Sequence, residues 1–425
     1  MVRLRATFGR GMALKVGGMI LHFGVAATLS RWYGAALYGE YAYFFSWVVV
    51  LALLSSLGLD WLLVRETAYL KTQGPAQWIP GLVRWAHWLS GAVAVVVAVA
   101  LIVVAQRGEA LNVVLLFVAL ALPFFAWLRI RQGALQGLDF PVASQLPINV
   151  FLPTLFLLGI IVSKVWHWRL TTAALLSVYL ACLVVVFLAT GQWLRGVLSK
   201  YPSVKIPFRK EWLYSALRLL ASSGLGLLIY QIPVLLSGSW LGPATAGVAD
   251  VLVRGSLVIA FPLGAVNLPL APFVAGSADV RVSSDVQATI QRSTRLAFVG
   301  AFFLSLGYIV AAFYFLPALL GAVYRVPVVW LCILALGQLI NVGVGPVVLI
   351  LNMRSHEIET LKGMLLGLAV IGGGGWVFRS WHLGGILAAY TFGLSAWNIY
   401  LLFRVRSLFG LDPSIFSVLD FGAKN

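Results

Sequence analysis

An all-α polytopic membrane fold of about twelve spanning helices is what this sequence predicts, and three observations carry that expectation. Hydrophobic residues make up 61% of the 425-residue chain and charged residues only 10%. Mean hydropathy is +0.97. Apolar stretches of roughly the 20-residue length that crosses hydrocarbon recur from end to end. Soluble domains are about half apolar and a quarter charged, so water is not the solvent for most of this surface. In hydrocarbon each segment must satisfy its own backbone N–H and C=O groups, and continuous apolar runs of this length do so as helices.

The first set of windows falls at residues 12–31, 40–62, 84–106, 111–130, 141–163 and 171–192. A second set follows at 213–237, 244–270, 296–320, 327–351, 359–378 and 383–404. The basic N-terminus ahead of the first window, with Lys15 inside a continuing helical pattern, reads as a retained span rather than a cleaved signal. Connections are short. The longest polar run, residues 194–212, leaves no room for a soluble catalytic domain. The organisation expected is an N-terminal six-helix bundle over 1–193, a cytoplasmic linker over 194–212 and a C-terminal six-helix bundle over 213–425.

Basic residues set the orientation, because cytoplasmic loops keep an excess of Lys and Arg. A cytoplasmic N-terminus puts Arg3, Arg5, Arg10, Arg65, Lys71, Arg84, Arg129, Arg131, Arg195 and the cluster from Lys200 to Lys210 inside, and leaves Arg31, Arg107, Lys164, Arg169, Arg325 and Arg379 outside. Both termini are then cytoplasmic. The net charge of +17 and the pI near 10.2 are dispersed over many loops, which fits anionic headgroups and no nucleic acid. Cys182 and Cys332 lie in apolar windows with no disulfide or metal spacing. No metal and no cofactor is expected, and no phosphate-cradling G-x-x-x-x-G-K-[ST] loop is present.

The chain reads as doubled. Trp32, Gly34 and Gly39 recur with identical spacing as Trp240, Gly242 and Gly247, each trio in the turn between the first and second helices of its half. An even number of helices per half relates the two bundles by a pseudo-twofold axis along the membrane normal. Pro123, Pro147, Pro153, Pro233, Pro262, Pro269, Pro272, Pro346 and the glycine run 372–375 mark places where helices bend or, on the alternative reading, simply pack.

The stretch Arg31, Trp32, Tyr33, Gly34, Ala35, Ala36, Leu37, Tyr38, Gly39, Glu40, Tyr41 resembles the first helix-turn-helix signature of the polysaccharide transporters. These are oligosaccharide flippases of the multidrug, oligosaccharidyl-lipid and polysaccharide exporter superfamily. Gly58, Leu59 and Asp60 with Leu63, Val64, Arg65 and Glu66 look like the close of that family's second helix. Residues 247–254 occupy the entry to its eighth. Gly337, Gln338, Leu339, Ile340 and Asn341, then Gly345 and Pro346 through His356 and Glu357, are similar to its tenth. One departure stands out: where many relatives carry an acidic or similarly polar residue in the seventh helix, this chain has Gln231 before Pro233, at odds with acid-dependent coupling there.

The resemblance implies a two-lobed, MATE-like transporter with a central cavity. Its substrate would be a polyprenyl-pyrophosphate-linked oligosaccharide, moved from the cytoplasmic to the outer leaflet of a prokaryotic inner membrane for cell-surface polysaccharide assembly. Membrane lipids and the polysaccharide polymerase and chain-length machinery are the implied partners, with coupling to a proton or sodium gradient open.

That cargo hides about two negative charges and many hydroxyls, so the cavity should be cationic and wet. Intramembrane ionisable residues cost several kcal/mol and are functional candidates by default. Arg254, about 15 Å into the eighth window at 1.5 Å per residue, is the leading phosphate-binding candidate. Asp250 lies one turn earlier and can pair with it. The pair either releases Arg254 to phosphate or exists only to neutralise it. Arg218, Lys15, Gln231 and Asn341 complete the substrate-binding set, and Asp250, Glu40 and Asp60 are the coupling-ion candidates. Lys15, Arg31, Arg84, Arg129 and Arg218 lie near helix ends, where snorkelling to headgroups is the alternative.

Glu40 reads as a solvated residue of the outer mouth and Asp60 as one near the inner end. The amides Gln145, Asn149, Gln231, Asn267, Gln338, Asn341 and Asn398 bond sugar hydroxyls or neighbouring helices. The 16 tryptophans and 14 tyrosines suit interfacial belts or sugar stacking, and His22 and His87 read as core residues. An enzyme, such as a polytopic glycan polymerase or ligase, is disfavoured by the brief outer loops. A multidrug or metabolite/cation antiporter of the same superfamily is the nearer alternative, and a peptidoglycan-precursor flippase would need extra helices.

Overall fold

Each regular element among the described residues is helical. The computed structural model describes residues 2–106, 112–202, 204, 209–221, 226–276, 284–354 and 356–418, with side chains for all of these except 2–10, 12, 15, 112, 268, 269, 271–276, 284–286, 417 and 418. The chain divides into two units, Met1–Gly224 and Leu225–Asn425.

The first unit contains α1 (Val2–Tyr33), α2 (Ala35–Ser56), α3 (Leu59–Thr72), α4 (Ile79–Ala105), α5 (Asn112–Gly137), α6 (Leu152–Val165), α7 (Thr172–Leu198) and α8 (Lys210–Leu219). The second contains α9 (Gly226–Leu241), α10 (Pro243–Ser256), α11 (Phe261–Gly276), α12 (Ser284–Leu320), α13 (Val328–Gly343), α14 (Val347–Met353), α15 (Glu357–Val377) and α16 (His382–Phe409). Ten helical stretches are long and apolar enough to cross a bilayer. The expected first and seventh windows are occupied by α1 and by the shorter apolar α9. This is a multi-pass membrane protein.

Helix centrality follows from burial. The stretch Arg379–Phe409, which contains α16, is 72% buried over its most apolar window, whereas Gln287–Leu320 within α12 is 22% buried. Accordingly α16 packs on α15, α13, α9 and α14, while α12 turns Leu296, Phe303, Tyr314 and Phe315 outward toward lipid. In the first unit α5 takes the central place, against α2, α3, α4 and α7. Its close approaches rest on missing side chains: a Cβ at Gly133 would collide with the Asp60 carbonyl oxygen, and one at Gly91 of α4 with the Trp127 indole. Tyr41, Phe44, Phe45, Phe156 and Tyr179 interlock at centroid distances of 5.0–6.5 Å, tying α2 to α6 and α7.

The repeated turn has the same backbone in both units. Gly34 has φ 96 and ψ 155, and Gly242 has φ 94 and ψ 170; each precedes the second helix of its unit. That region is essentially restricted to glycine, which is why the spacing recurs.

Several windows are interrupted where single helices were expected. Leu57 and Gly58, with φ of 51 and 75, split window 40–62 into α2 and α3. A 3₁₀ turn, Leu257–Ala260, separates α10 from α11 just before Pro262. Gly345, with φ 85, and Pro346 separate α13 from α14. A π-helical turn, Pro147–Phe151, leads into α6, with Pro153 in its first turn. Pro123 and Pro233 instead stay inside continuous helices, and the side chains of Pro269 and Pro272 lie outside the described residues. The glycine run 372–375 does not break α15. It packs: an added Cβ at Gly374 would meet Ala389 at 3.2 Å, and one at Gly375 would meet Leu236 at 3.0 Å.

The unit boundary also departs from the expected linker at 194–212. The segment after it, α8, groups with the first unit because it packs on α3. Trp212 and Ala216 are its buried face, and Gly58 lets α8 come so near that an added Cβ would overlap the Ala216 carbonyl oxygen.

Candidate functional site

Arg254 and Asp250 form an ion pair along α10, Nε to Oδ1 at 2.5 Å, with the Asp250 side chain 5% exposed and that of Arg254 33% exposed. The i, i+4 spacing places both on one helix face. Pro243–Asn267 is one apolar stretch long enough to span, so Arg254 sits roughly midway along it, about 16 Å from Pro243 at 1.5 Å per residue. Helical geometry changes immediately afterwards, at the 3₁₀ turn Leu257–Ala260.

Tyr308 of α12 brackets the arginine. Its hydroxyl donates to the Leu252 carbonyl at 3.0 Å, and its ring lies where a Cβ on Gly255 would meet it at 3.0 Å. A guanidinium is therefore held at a point where the α-helical ladder loosens, one-third accessible and charge-balanced by one buried carboxylate. That arrangement can exchange a carboxylate partner for a phosphate oxygen, since both accept the same planar donors.

Neutral hydrogen-bonding groups line the helices around α10. Gln338 of α13 donates from Nε2 to the Tyr390 hydroxyl at 3.2 Å, and Asn341 donates from Nδ2 to Gln338 Oε1 at 3.4 Å. Gln231 is half-buried on α9. Asn267 of α11 keeps a buried Oδ1 with no hydrogen-bond partner among the described residues. Asn398 is satisfied within α16, donating to the Leu394 carbonyl at 2.9 Å, and Gln145 donates to the Pro141 carbonyl at 3.1 Å.

The other expected residues belong to the first unit. Lys15 falls on α1, its side chain outside the described residues. Arg218 is exposed on α8, which belongs to the first unit rather than opening α9. Glu40 lies inside α2 and is half-buried, accepting a hydrogen bond from Thr172 at the start of α7, so it is not a solvated mouth residue. Asp60 is buried as well: it accepts from Arg129 at 2.5 Å and from Ser56 Oγ at 3.3 Å. Arg129 is consequently the internal counter-ion of Asp60, with a side chain 14% exposed, and not a snorkelling end residue.

Two features were missed by sequence reasoning. Glu359 of α15 accepts from Lys362 Nζ at 2.8 Å, Tyr400 hydroxyl at 2.8 Å and Arg404 Nε at 2.7 Å. The i, i+3 spacing to Lys362 and the i, i+4 spacing of Tyr400 and Arg404 were the available signal. Arg131, assigned to a loop, lies inside α5 against Phe187, its guanidinium carbon 3.8 Å from the ring centroid.

The fold is that of the MATE transporters of the MOP superfamily. A multidrug resistance MATE family transporter of that superfamily, in an inward-facing conformation, is 15% identical over 94% of both chains, with a TM-score of 0.64. Its outward-facing counterpart is also 15% identical over 94% of both chains, with a TM-score of 0.61. A MATE structure in the straight conformation matches 96% of this chain and 95% of its own at 15% identity and a TM-score of 0.60. No protein-family model and no curated protein matches the sequence.

Proposed function

We propose that the protein is a flippase that carries a polyprenyl-pyrophosphate-linked oligosaccharide from the cytoplasmic to the outer leaflet by alternating access, for cell-surface polysaccharide assembly. The observation that carries this reading is the mid-span Arg254, one-third accessible and paired with the buried carboxylate of Asp250. Its neighbouring helices offer amides and phenols suited to sugar hydroxyls. The resemblance of the Trp32 to Tyr41 stretch to the polysaccharide transporters points the same way. The reading includes an inner-membrane location with both termini cytoplasmic, and polymerase and chain-length proteins as partners.

Reconstitution with fluorescent polyprenyl-pyrophosphate sugars measures leaflet crossing directly. Losing one charge-assisted contact worth about 1.5–3 kcal/mol should slow crossing by about tenfold or more in Arg254→Ala. The Asp250→Asn/Arg254→Gln double variant, which removes both charges of the pair, should be slowed as much while remaining folded. Crossing at the native rate in that folded double variant removes Arg254 from the site.

A multidrug or metabolite/cation antiporter is the second reading, favoured by the solved structures that share the fold, which are described as multidrug resistance transporters. Uptake of cationic dyes into the same vesicles, without movement of the lipid-linked sugar, would establish it.

A further inference from the structure

In the first unit, away from the pair on α10, two arginines converge on Gly191 of α7. A Cβ at Gly191 would lie 3.0–3.2 Å from the guanidinium atoms of Arg131 on α5. Arg195 Nε donates to the Gly191 carbonyl at 3.3 Å. Arg131 is half-buried, and its neighbours are polarisable or neutral: it donates from Nη1 to the Phe187 carbonyl and from Nε to His87 Nε2 at 3.4 Å, and it lies over the Phe187 ring. His87 Nδ1 faces the Val83 carbonyl at 2.9 Å, so it is the donor of that ring and Nε2 is left as the acceptor Arg131 needs.

Among the described residues no carboxylate lies within ion-pair distance of Arg131 or Arg195. Arg195, whose Nε donates to the carbonyl of the same glycine, adds like charge there and no counter-ion. Elsewhere in the protein the half-buried arginines Arg129, Arg254 and Arg404 each have an acid, and Arg354 lies over the Phe409 ring. Like charges gathered at one glycine repel, and desolvation of the half-buried Arg131 costs several kcal/mol unless an anion compensates.

We propose that Arg131 and Arg195 form a binding site for a phosphate-bearing anion, presented by a lipid headgroup or free in solution. Arg131 precedes the end of α5 by about 9 Å and Arg195 precedes the end of α7 by about 5 Å, at 1.5 Å per residue. Headgroups reach that depth, and anionic lipids are enriched in the leaflet that the basic loops assign to this end. Arg131 uses Nε and Nη1 on protein acceptors, which leaves Nη2 for phosphate oxygens beside the exposed Arg195.

The test uses the full-length protein in phosphatidylcholine nanodiscs, titrated with phosphatidylglycerol and, separately, with inorganic phosphate. Retained lipid is counted by native mass spectrometry, and the unfolding temperature is followed in parallel. Native protein should retain phosphatidylglycerol and be stabilised by it. Arg131→Gln and Arg195→Gln should each weaken retention about tenfold, the loss expected of one charge-assisted contact, with no change in unfolding temperature in phosphatidylcholine alone for Arg195→Gln. Should Arg131→Gln not fold, the exposed Arg195→Gln carries the comparison. A response to lipid alone assigns the site to headgroups, and a response to inorganic phosphate assigns it to soluble phosphates. Equal responses in native protein and folded variants, or none in native protein to either anion, overturn the proposal.

Discussion

The pair Asp60 and Arg129 yields the most quantitative expectation. Its contact of 2.5 Å joins side chains that are 11% and 14% exposed, and the helices bearing them come backbone to backbone at Gly133. At that distance and an effective dielectric near 20, the Coulomb term is about 7 kcal/mol, most of it offset by desolvation. Asp60→Asn leaves a buried guanidinium, one of whose atoms, Nε, already has no hydrogen-bond partner. Arg129→Met leaves a buried carboxylate with only Ser56 to help. Each single change should therefore cost about 3–5 kcal/mol, because an uncompensated charge stays in place.

The double variant Asp60→Asn/Arg129→Met removes both charges and should lie within about 1–2 kcal/mol of native stability, giving a coupling energy of at least about 2 kcal/mol. The assay is equilibrium unfolding in mixed micelles on all four proteins, followed by leaflet crossing for the double variant. Retained crossing is expected, since the carboxylate is engaged in packing α3 on α5 rather than in carrying a coupling ion. Single variants within about 1 kcal/mol of native, or additive losses in the double, would refute the reasoning about burial. A folded but inactive double variant would restore Asp60 as a coupling-ion candidate.

Gly34→Ala and Gly242→Ala should each destabilise by about 1–3 kcal/mol through backbone strain alone, because nothing lies within 4 Å of the new Cβ at either site; the control Gly307→Ala, equally open but helical, should gain about 0.5–1 kcal/mol in the same unfolding measurement. Glu359→Gln, which strips the charge from an acceptor shared by Lys362, Tyr400 and Arg404, should cost about 1–3 kcal/mol, and Tyr400→Phe about 1 kcal/mol, read as shifts in the same unfolding midpoint.

Ten of the twelve expected windows hold helices long and apolar enough to span, legible in the sequence because hydrocarbon thickness imposes one length on every span and leaves little freedom in composition. The doubled turn was legible because a backbone at φ near 95 admits only glycine, so Gly34 and Gly242 report geometry directly. Interruptions were harder to place. The helix split at Leu57 depends on a left-handed residue that carries a leucine side chain, a conformation no local propensity announces, beside a Gly58 on which α8 packs closely. The same long-range contact moved the unit boundary. The four consecutive glycines at 372–375 could be read as a bend or as packing, and contact with Ala389 and Leu236 in a continuous α15 bears out the packing reading.

Charges divided along similar lines. Pairs within one helix, Asp250 with Arg254 above all, could be read from spacing, whereas Asp60 with Arg129 and Glu359 with Arg404 required knowing which helices meet. Their pairing bears on the choice of cargo. Each buried carboxylate among the described residues, Asp60, Asp250 and Glu359, is held by at least one arginine. Extruding a cation against an inside-negative potential requires a coupling ion and an acid to carry it. Moving about two negative charges outward is instead favoured by about 4.6 kcal/mol per 100 mV, at 2.3 kcal/mol per charge. On the proposed flippase reading, acids that are already engaged match an anionic headgroup, which the membrane potential itself can drive. Collapse of the potential with an ionophore, leaving pH and sodium gradients intact, should accordingly slow lipid-linked sugar crossing, and undiminished crossing would return the energy source to an ion gradient.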